Sequence, residues 1–196
     1  MPVDRPVDRP ADRPAPPDRL LVLGLGNVLL SDDGLGIAAV SLLERHYQAP
    51  DGVSVLDGGT LGLALLPLLE EADDAILVDA VRADAPPGSL VRLDGDAVPP
   101  AVRERLSPHQ IGVADLLDGV RLRGRSPRRI ALLGLVPETL ELGVARSAAV
   151  EAGIPDLVER IVTEARGMGY AFTPRRLDET RARRSPDDGL ARLFGL

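Results

Sequence analysis

Apolar and polar positions along this chain outline a βα repeat. Residues 20–23 (LLVL) are wholly apolar and closed by Gly24, the pattern of a strand buried on both faces of a parallel sheet. Gly24 and Gly26 then turn the chain, and Leu35, Ala39, Leu42 and Leu43 recur at the spacing of one helix face. Strand, loop and helix together open a βαβ unit, and the helix fades near residues 47–50. Residues 53–56 predict a second strand ending at Asp57. Residues 61–71 predict a leucine-rich helix that Thr60 can cap and that Pro67 kinks or shortens. Residues 75–78 (AILV) predict a third, fully apolar strand that runs into Asp79. Pro86, Pro87 and Gly88 make a turn before a short strand at residues 89–93, a return that suits an antiparallel edge. A short polar helix at residues 101–106 follows Pro99 and Pro100. Ser107 with Gln110 then forms a capping-box pattern, with Pro108 at the first helical position and Val113, Leu116, Leu117 and Val120 as the buried face. Residues 129–136 (RIALLGLV) are the last buried strand, and residues 150–168 give the closing helix. The sum predicts a three-layer α/β/α sandwich around a five-stranded mixed, mostly parallel sheet.

Composition narrows what such a domain can do. With 44% apolar residues in 196, the chain can build one substantial core, and with two Phe, two Tyr and no Trp that core is aliphatic. The absence of cysteine excludes disulfides, thiolate nucleophiles and sulfur-ligated metals, so any metal is held by carboxylate, imidazole or backbone oxygen. A formal charge of −7 argues against nucleic acid as a partner. No segment reaches the roughly 18 apolar residues of a membrane span. Residues 1–18 repeat Pro, Asp and Arg with almost nothing to bury, and the expectation is a disordered extension. A single domain is expected over residues 19–172, with a polar, disordered tail at 173–196 and a cytoplasmic location.

The candidate chemistry gathers around the first loop. A dinucleotide fingerprint starting at Gly24 fails, because position 29 is Leu and the loop carries Asp32 and Asp33 where a pyrophosphate wants bare amides. The bland alternative is a pair of acids at the positive end of the helix, with Ser31 as N-cap and Asp32 turned to solvent. That fits one acid better than two, so one of the pair is a candidate for chemistry. Asp57 and Asp79 end two further strands at the same edge, which collects three carboxylates there with Asp33. Asp57, beside two glycines, reads equally well as a turn residue bonding its own backbone. Asp79 follows four buried positions with no Gly or Pro beside it, and a carboxylate so placed is paired or functional. His109 falls in the first turn of a helix, where the dipole favours the neutral ring that can ligate a metal. His46, among Glu44, Arg45 and Tyr47, reads as a surface residue. Glu138 reads as solvent-facing. Carboxylates with a neutral imidazole make a nitrogen and oxygen site suited to Ni or Zn, beside which Asp57 is the candidate base or orienter of a water.

Five motifs in register carry a family resemblance: GLGNVLLSDDGLG at 24–36, LDGGT at 56–60, ILVDAV at 76–81, SPHQIG at 107–112 and LLGLVPETLE at 132–141. In these the chain resembles the nickel-iron hydrogenase maturation endopeptidases. The resemblance implies removal of a C-terminal extension from the precursor of the hydrogenase large subunit after nickel has been inserted, with the nickel carried by that substrate as the recognition element. It further implies Asp33, Asp79 and His109 as metal-binding residues. The first of these positions is commonly Glu in the family, and Asp33 reaches one methylene less far. Two rivals stand beside this reading. One is a nickel-checking chaperone that docks the precursor without cutting it. The other is a peptidyl-tRNA hydrolase, suggested by the GLGN start but opposed by an acidic chain without lysine.

Overall fold

The computed structural model describes residues 19–94 and 111–175, with residues 111–116 by backbone alone. Its centre is a five-stranded sheet in the order β3-β1-β4-β6-β5. The strands are β1 (Leu20–Leu25), β3 (Val53–Gly59), β4 (Asp74–Ala80), β5 (Leu90–Asp94) and β6 (Arg129–Leu135). β3, β1, β4 and β6 run parallel, whereas β5 returns antiparallel against β6 at the edge. The reversed strand is thus the one that follows the Pro-Pro-Gly turn, as its sequence predicts. The mixed three-layer sandwich expected from the sequence is the observed fold.

Alternation along the strands sorts the aliphatic side chains onto two faces. Leu20, Val22, Ile76, Val78, Leu133 and Leu135 meet helix α1 (Leu35–His46) and the closing helix α4 (Ala148–Gly167). Leu21, Leu23, Ala75, Leu77, Val81 and Leu132 meet the other layer. That layer is a 3-10 turn at Gly62–Leu65, α2 (Leu66–Glu71) and α3 (Ile111–Leu122). Each large aliphatic side chain buried here contributes about 1.5–3 kcal/mol of transfer free energy. The leucine-rich stretch is two short elements rather than one kinked helix, because Pro67, lacking an N–H, is tolerated in a first turn but not within a continuing helix. Thr60 makes no cap there. The short polar helix expected at 101–106 lies outside the described residues. A two-stranded ribbon, β2 (Tyr47–Gln48) with β7 (Thr173–Pro174), ties the chain back to the end of α1. Arg175 N–H adds a bond to the His46 carbonyl, so the chain is held to the fold three residues beyond Phe172. Among the described residues no helix is long and apolar enough to cross a membrane.

Two features decide where the strand ends lie. At the amino edge Asp74 is fully buried and accepts from Arg129 Nε at 2.7 Å and Nη2 at 2.6 Å, and from the Tyr170 hydroxyl at 3.0 Å. Burial alone would raise its pKa, but these donors and the Arg128 charge outweigh it and hold the carboxyl below its ordinary range. At the carboxyl edge α1 is pressed against backbone. A Cβ on Gly36 would sit 2.2 Å from the Val78 carbonyl oxygen and 2.4 Å from that of Leu25, and one on Gly24 would sit 2.6 Å from the Gly36 carbonyl. Only glycine at both positions lets the start of the helix lie across the ends of β1 and β4.

Two outcomes follow for stability. Asp74→Ala removes the acceptor of the Arg129 and Tyr170 bonds and should cost about 1–3 kcal/mol in denaturant unfolding. Because the folded-state pKa of Asp74 is depressed, the stability it contributes is fully present above about pH 5 and declines as pH falls through the folded value; Asp74→Ala should flatten that acid limb. Gly36→Ala should lower stability by about 1–3 kcal/mol or more, since backbone cannot yield as a side chain would.

Candidate active site

The close approach of α1 leaves no room for its N-terminus to extend straight back, and the connection from β1 folds into a 3-10 turn, Ser31–Gly34. All four of its residues are buried, Asp32 and Asp33 almost completely. Gly26 enables the fold of this loop. It adopts φ +122°, and a Cβ there would lie 1.8 Å from the Asp33 carbonyl oxygen. The Asp33 carboxylate, turned back over the loop, accepts from the Asn27 N–H at 2.8 Å.

Asp32 departs from the sequence expectation. Instead of facing solvent it is 0% exposed, and its carboxylate accepts from Glu138 N–H (2.8 Å), Thr139 N–H (3.1 Å), Ser147 N–H (2.7 Å) and the Ser147 hydroxyl (2.9 Å). Burial pushes its pKa up, but the hydrogen bonds from Ser147, Thr139 and Glu138 prevail and hold it below the ordinary value. Ser31 is not an N-cap either. It sits at φ +49°, and its hydroxyl donates to the Glu141 carbonyl at 3.0 Å. The residue that caps a helix is Ser147, whose Oγ accepts from Val150 N–H at the start of α4. Sequence reading misses the Asp32–Ser147 contact, which joins residues 115 positions apart. Its only local signal is a serine placed just before the apolar periodicity of the closing helix.

The other acids occupy strand ends. β4 is buried throughout, and Asp79 pairs in register with Gly134 of β6, with its Oδ1 accepting from the following Ala80 N–H at 2.7 Å. By alternation Asp79 lies on the face of Leu77 and Val81, the side covered by α2 and α3. Asp57 pairs with Gly24 of β1 but alternates with Val53 and Val55, on the side of α1 and α4. Asp57 stays exposed, yet partial enclosure raises its carboxyl pKa, against which one bond from the Gly59 N–H works. That bond makes it the backbone-bonding turn residue the sequence allows, and the raised pKa leaves it a stronger base than an ordinary aspartate. The 3-10 turn that carries Asp33 packs on β4, the strand that carries Asp79, and Asp57 belongs to the other face of the sheet from Asp79. Among the described residues no three His, Cys, Asp or Glu side chains group closely enough to hold a metal ion. His109 lies outside the described residues, two positions before α3 begins. His46 is exposed at the end of α1, and Glu138 is exposed too. Past the ends of β4 and β6 opens a cleft of about 360 Å³, walled by Arg82 and Ala83 after β4 and by residues 136–140 after β6.

The chain matches the family model described as hydrogenase maturation protease over residues 37–164. It is 39% identical over 158 residues to the hydrogenase 2 maturation protease of Escherichia coli, which covers 80% of this chain and 96% of that protein. It is 40% identical over 159 residues to the hydrogenase expression/formation protein HupD of Rhodobacter capsulatus, covering 80% of this chain and 76% of that one. Among solved structures, the E. coli hydrogenase maturating endopeptidase HybD superposes with a TM-score of 0.77 at 39% identity, over 80% of this chain and 98% of that one. A NiFe hydrogenase maturation protease HybD of Thermococcus kodakarensis gives 0.59 at 29% identity, over 75% and 99%. The family resemblance carried by five sequence motifs and the observed sandwich therefore meet in one conclusion: the chain belongs to the hydrogenase maturation protease family and is an endopeptidase of hydrogenase maturation.

Proposed function

We propose that this chain removes the C-terminal extension of the nickel-iron hydrogenase large-subunit precursor, in the cytoplasm, once nickel is in place on that precursor. The observation that carries this reading is a pair of buried carboxylates, Asp33 on the turn that packs on β4 and Asp79 on β4 itself. Asp33 on the buried turn after β1 and Asp79 near the end of β4 are both carboxylates, and oxygen donors of this kind suit a cation arriving with the substrate. With His109 they supply oxygen and imidazole donors and no thiolate, a set that accepts Ni and equally Zn. Nickel is thus part of what is recognised, and a divalent ion so held would also polarise a nearby carbonyl.

Hydrolysis then needs a base for water. Asp57 reaches solvent at the same edge and has its pKa raised by partial burial, which improves it as a proton acceptor. Its approach from the α1 face sets it across the edge from Asp79, so a scissile bond lying along the strand ends would have the nickel-facing acids on one side and the base on the other. The cleft between Arg82 and residues 136–140 gives that segment a place to lie.

Incubation of the nickel-loaded precursor with the protein, followed by intact-mass measurement, should show a shortened large subunit; binding without shortening would instead identify a docking chaperone. In the same assay Asp33→Asn, Asp79→Asn and His109→Ala should abolish shortening while circular dichroism reports a folded protein. Asp33→Glu should retain activity, because the anion remains. Asp57→Asn should lower kcat by about 100-fold or more. With Asp57 as base, activity falls as pH drops through its raised pKa, so the acid limb of kcat/KM should lie above the ordinary aspartate value of about 3.9. An undiminished kcat in Asp57→Asn removes it from the mechanism.

A further inference from the structure

The reading above leaves one wholly buried carboxylate without a role. Asp32 spends both oxygens on the connection between β6 and α4: Oδ2 takes Glu138 N–H, Thr139 N–H and the Ser147 hydroxyl, and Oδ1 takes Ser147 N–H. These donors come from the two ends of a single strap, so one side chain closes it. The backbone reinforces the closure. Asp32 N–H reaches the Thr139 carbonyl at 3.3 Å, Ser31 N–H the Gly143 carbonyl at 2.7 Å, and Gly143 N–H the Leu29 carbonyl at 2.8 Å. To make this junction the chain accepts a left-handed conformation at Ser31, at φ +49°, where a non-glycine residue is strained.

The strap matters because of what it borders. Its first residues, with Arg82 across from them, wall the cleft past the ends of β4 and β6. Its middle holds Leu142 and Val144 out to solvent at 85% and 76% exposure, next to the backbone of Leu29. At the other end of the junction is the residue after Asp32, which is Asp33. We propose that Asp32 is a positioning residue for the peptidase: its carboxylate fixes the strap that walls the cleft relative to the turn that carries Asp33. It touches no substrate and acts through Glu138, Thr139 and Ser147 on one side and the Asp33 peptide on the other. This inference rests on the role given to Asp33 above, and its test separates the two.

A purely structural role for Asp32 predicts that variants lose activity only as far as they unfold. Positioning predicts a loss in molecules that are folded. Asp32→Asn presents an amide NH₂ to a cluster of donors and should release the strap. With the nickel-loaded precursor, at a temperature where circular dichroism shows the variant fully folded, its kcat should fall at least tenfold. Amide exchange at Glu138, Thr139 and Ser147 should accelerate while β1 and β4 stay protected. Ser147→Ala removes the α4 cap but keeps three of the four bonds to Asp32, and should lose stability with less than a threefold change in kcat. Asp74→Asn, at the opposite edge of the sheet, is the control for destabilisation and should keep its kcat when folded. If folded Asp32→Asn turns over like the parent while Asp33→Asn does not, the latch is overturned and the role of Asp33 stands. If Asp33→Asn processes normally, the role of Asp33 fails and the positioning argument with it. Should Asp32→Asn not fold at all, Asp32→Glu takes its place: it keeps the charge but lengthens the latch by one methylene, so its kcat should fall at least tenfold in the folded protein, and a folded Asp32→Glu that turns over like the parent overturns the proposal.

Discussion

The geometry of this domain depends on a helix that starts too close to a sheet for any side chain to intervene. Gly36 lies against the carbonyls of Val78 and Leu25, and Gly24 lies against Gly36, so α1 rests backbone on backbone across the ends of β1 and β4. The loop from β1 then has nowhere to go but into a buried 3-10 turn, and its two aspartates are carried into the interior with it. Burying anions raises their energy by several kcal/mol each unless donors compensate. The connection between β6 and α4 supplies those donors to Asp32 and is itself shaped by doing so. A packing constraint at two glycines therefore propagates, through the need to satisfy a charge, into the shape of a loop more than 100 residues away in sequence.

β4 shows how the same residue serves opposite ends of one strand. DAILVDA carries an aspartate at its amino end and another near its carboxyl end, and both are buried. Asp74 is neutralised by a bidentate Arg129 pair and a tyrosine hydroxyl, which fixes the amino edge and keeps the group ionised. Asp79 sits beside Gly134 and faces the cleft-bearing edge, where a parallel sheet presents its ligand site. The division of labour follows from topology. At the amino edge both ends of the ion pair belong to neighbouring strands in register, whereas at the carboxyl edge the chain leaves the sheet in loops that can be shaped for chemistry.

Much of this is legible in the sequence because buried parallel strands write themselves as unbroken apolar runs. LLVL, AILV and IALLGLV locate β1, β4 and β6. Their ends are less legible, since backbone pairing continues past the apolar run into Gly24, Asp57 and Asp79, where the ladder needs only N–H and C=O. Asp57 and Asp79 are legible as candidates for the same reason: each terminates an apolar run. Asp32 is not. Nothing local distinguishes it from Asp33, and its partners at 138, 139 and 147 are set by tertiary closure rather than by any periodicity. The helix-dipole reading of such a doublet is right about favourable position and wrong about environment, because a helix start pressed onto a sheet is interior and not surface.

The faces of the strands add a constraint that sequence spacing cannot express. Asp57 and Asp79 both end strands at one edge, yet alternation sends them to opposite layers, Asp57 toward α1 and α4 and Asp79 toward α2 and α3. Three carboxylates at one edge are therefore not one cluster. The 3-10 turn that carries Asp33 packs on β4, which carries Asp79, and Asp57 belongs to the other face of the sheet from Asp79. That separation agrees with their environments. Asp33 and Asp79 are shielded from water, in surroundings where a charge is felt more strongly, while Asp57 stays exposed and has its proton affinity raised. Under the proposed function, a base that exchanges protons with water and acids that hold a cation away from it have opposite requirements for solvent, which the exposed Asp57 and the buried Asp33 and Asp79 meet.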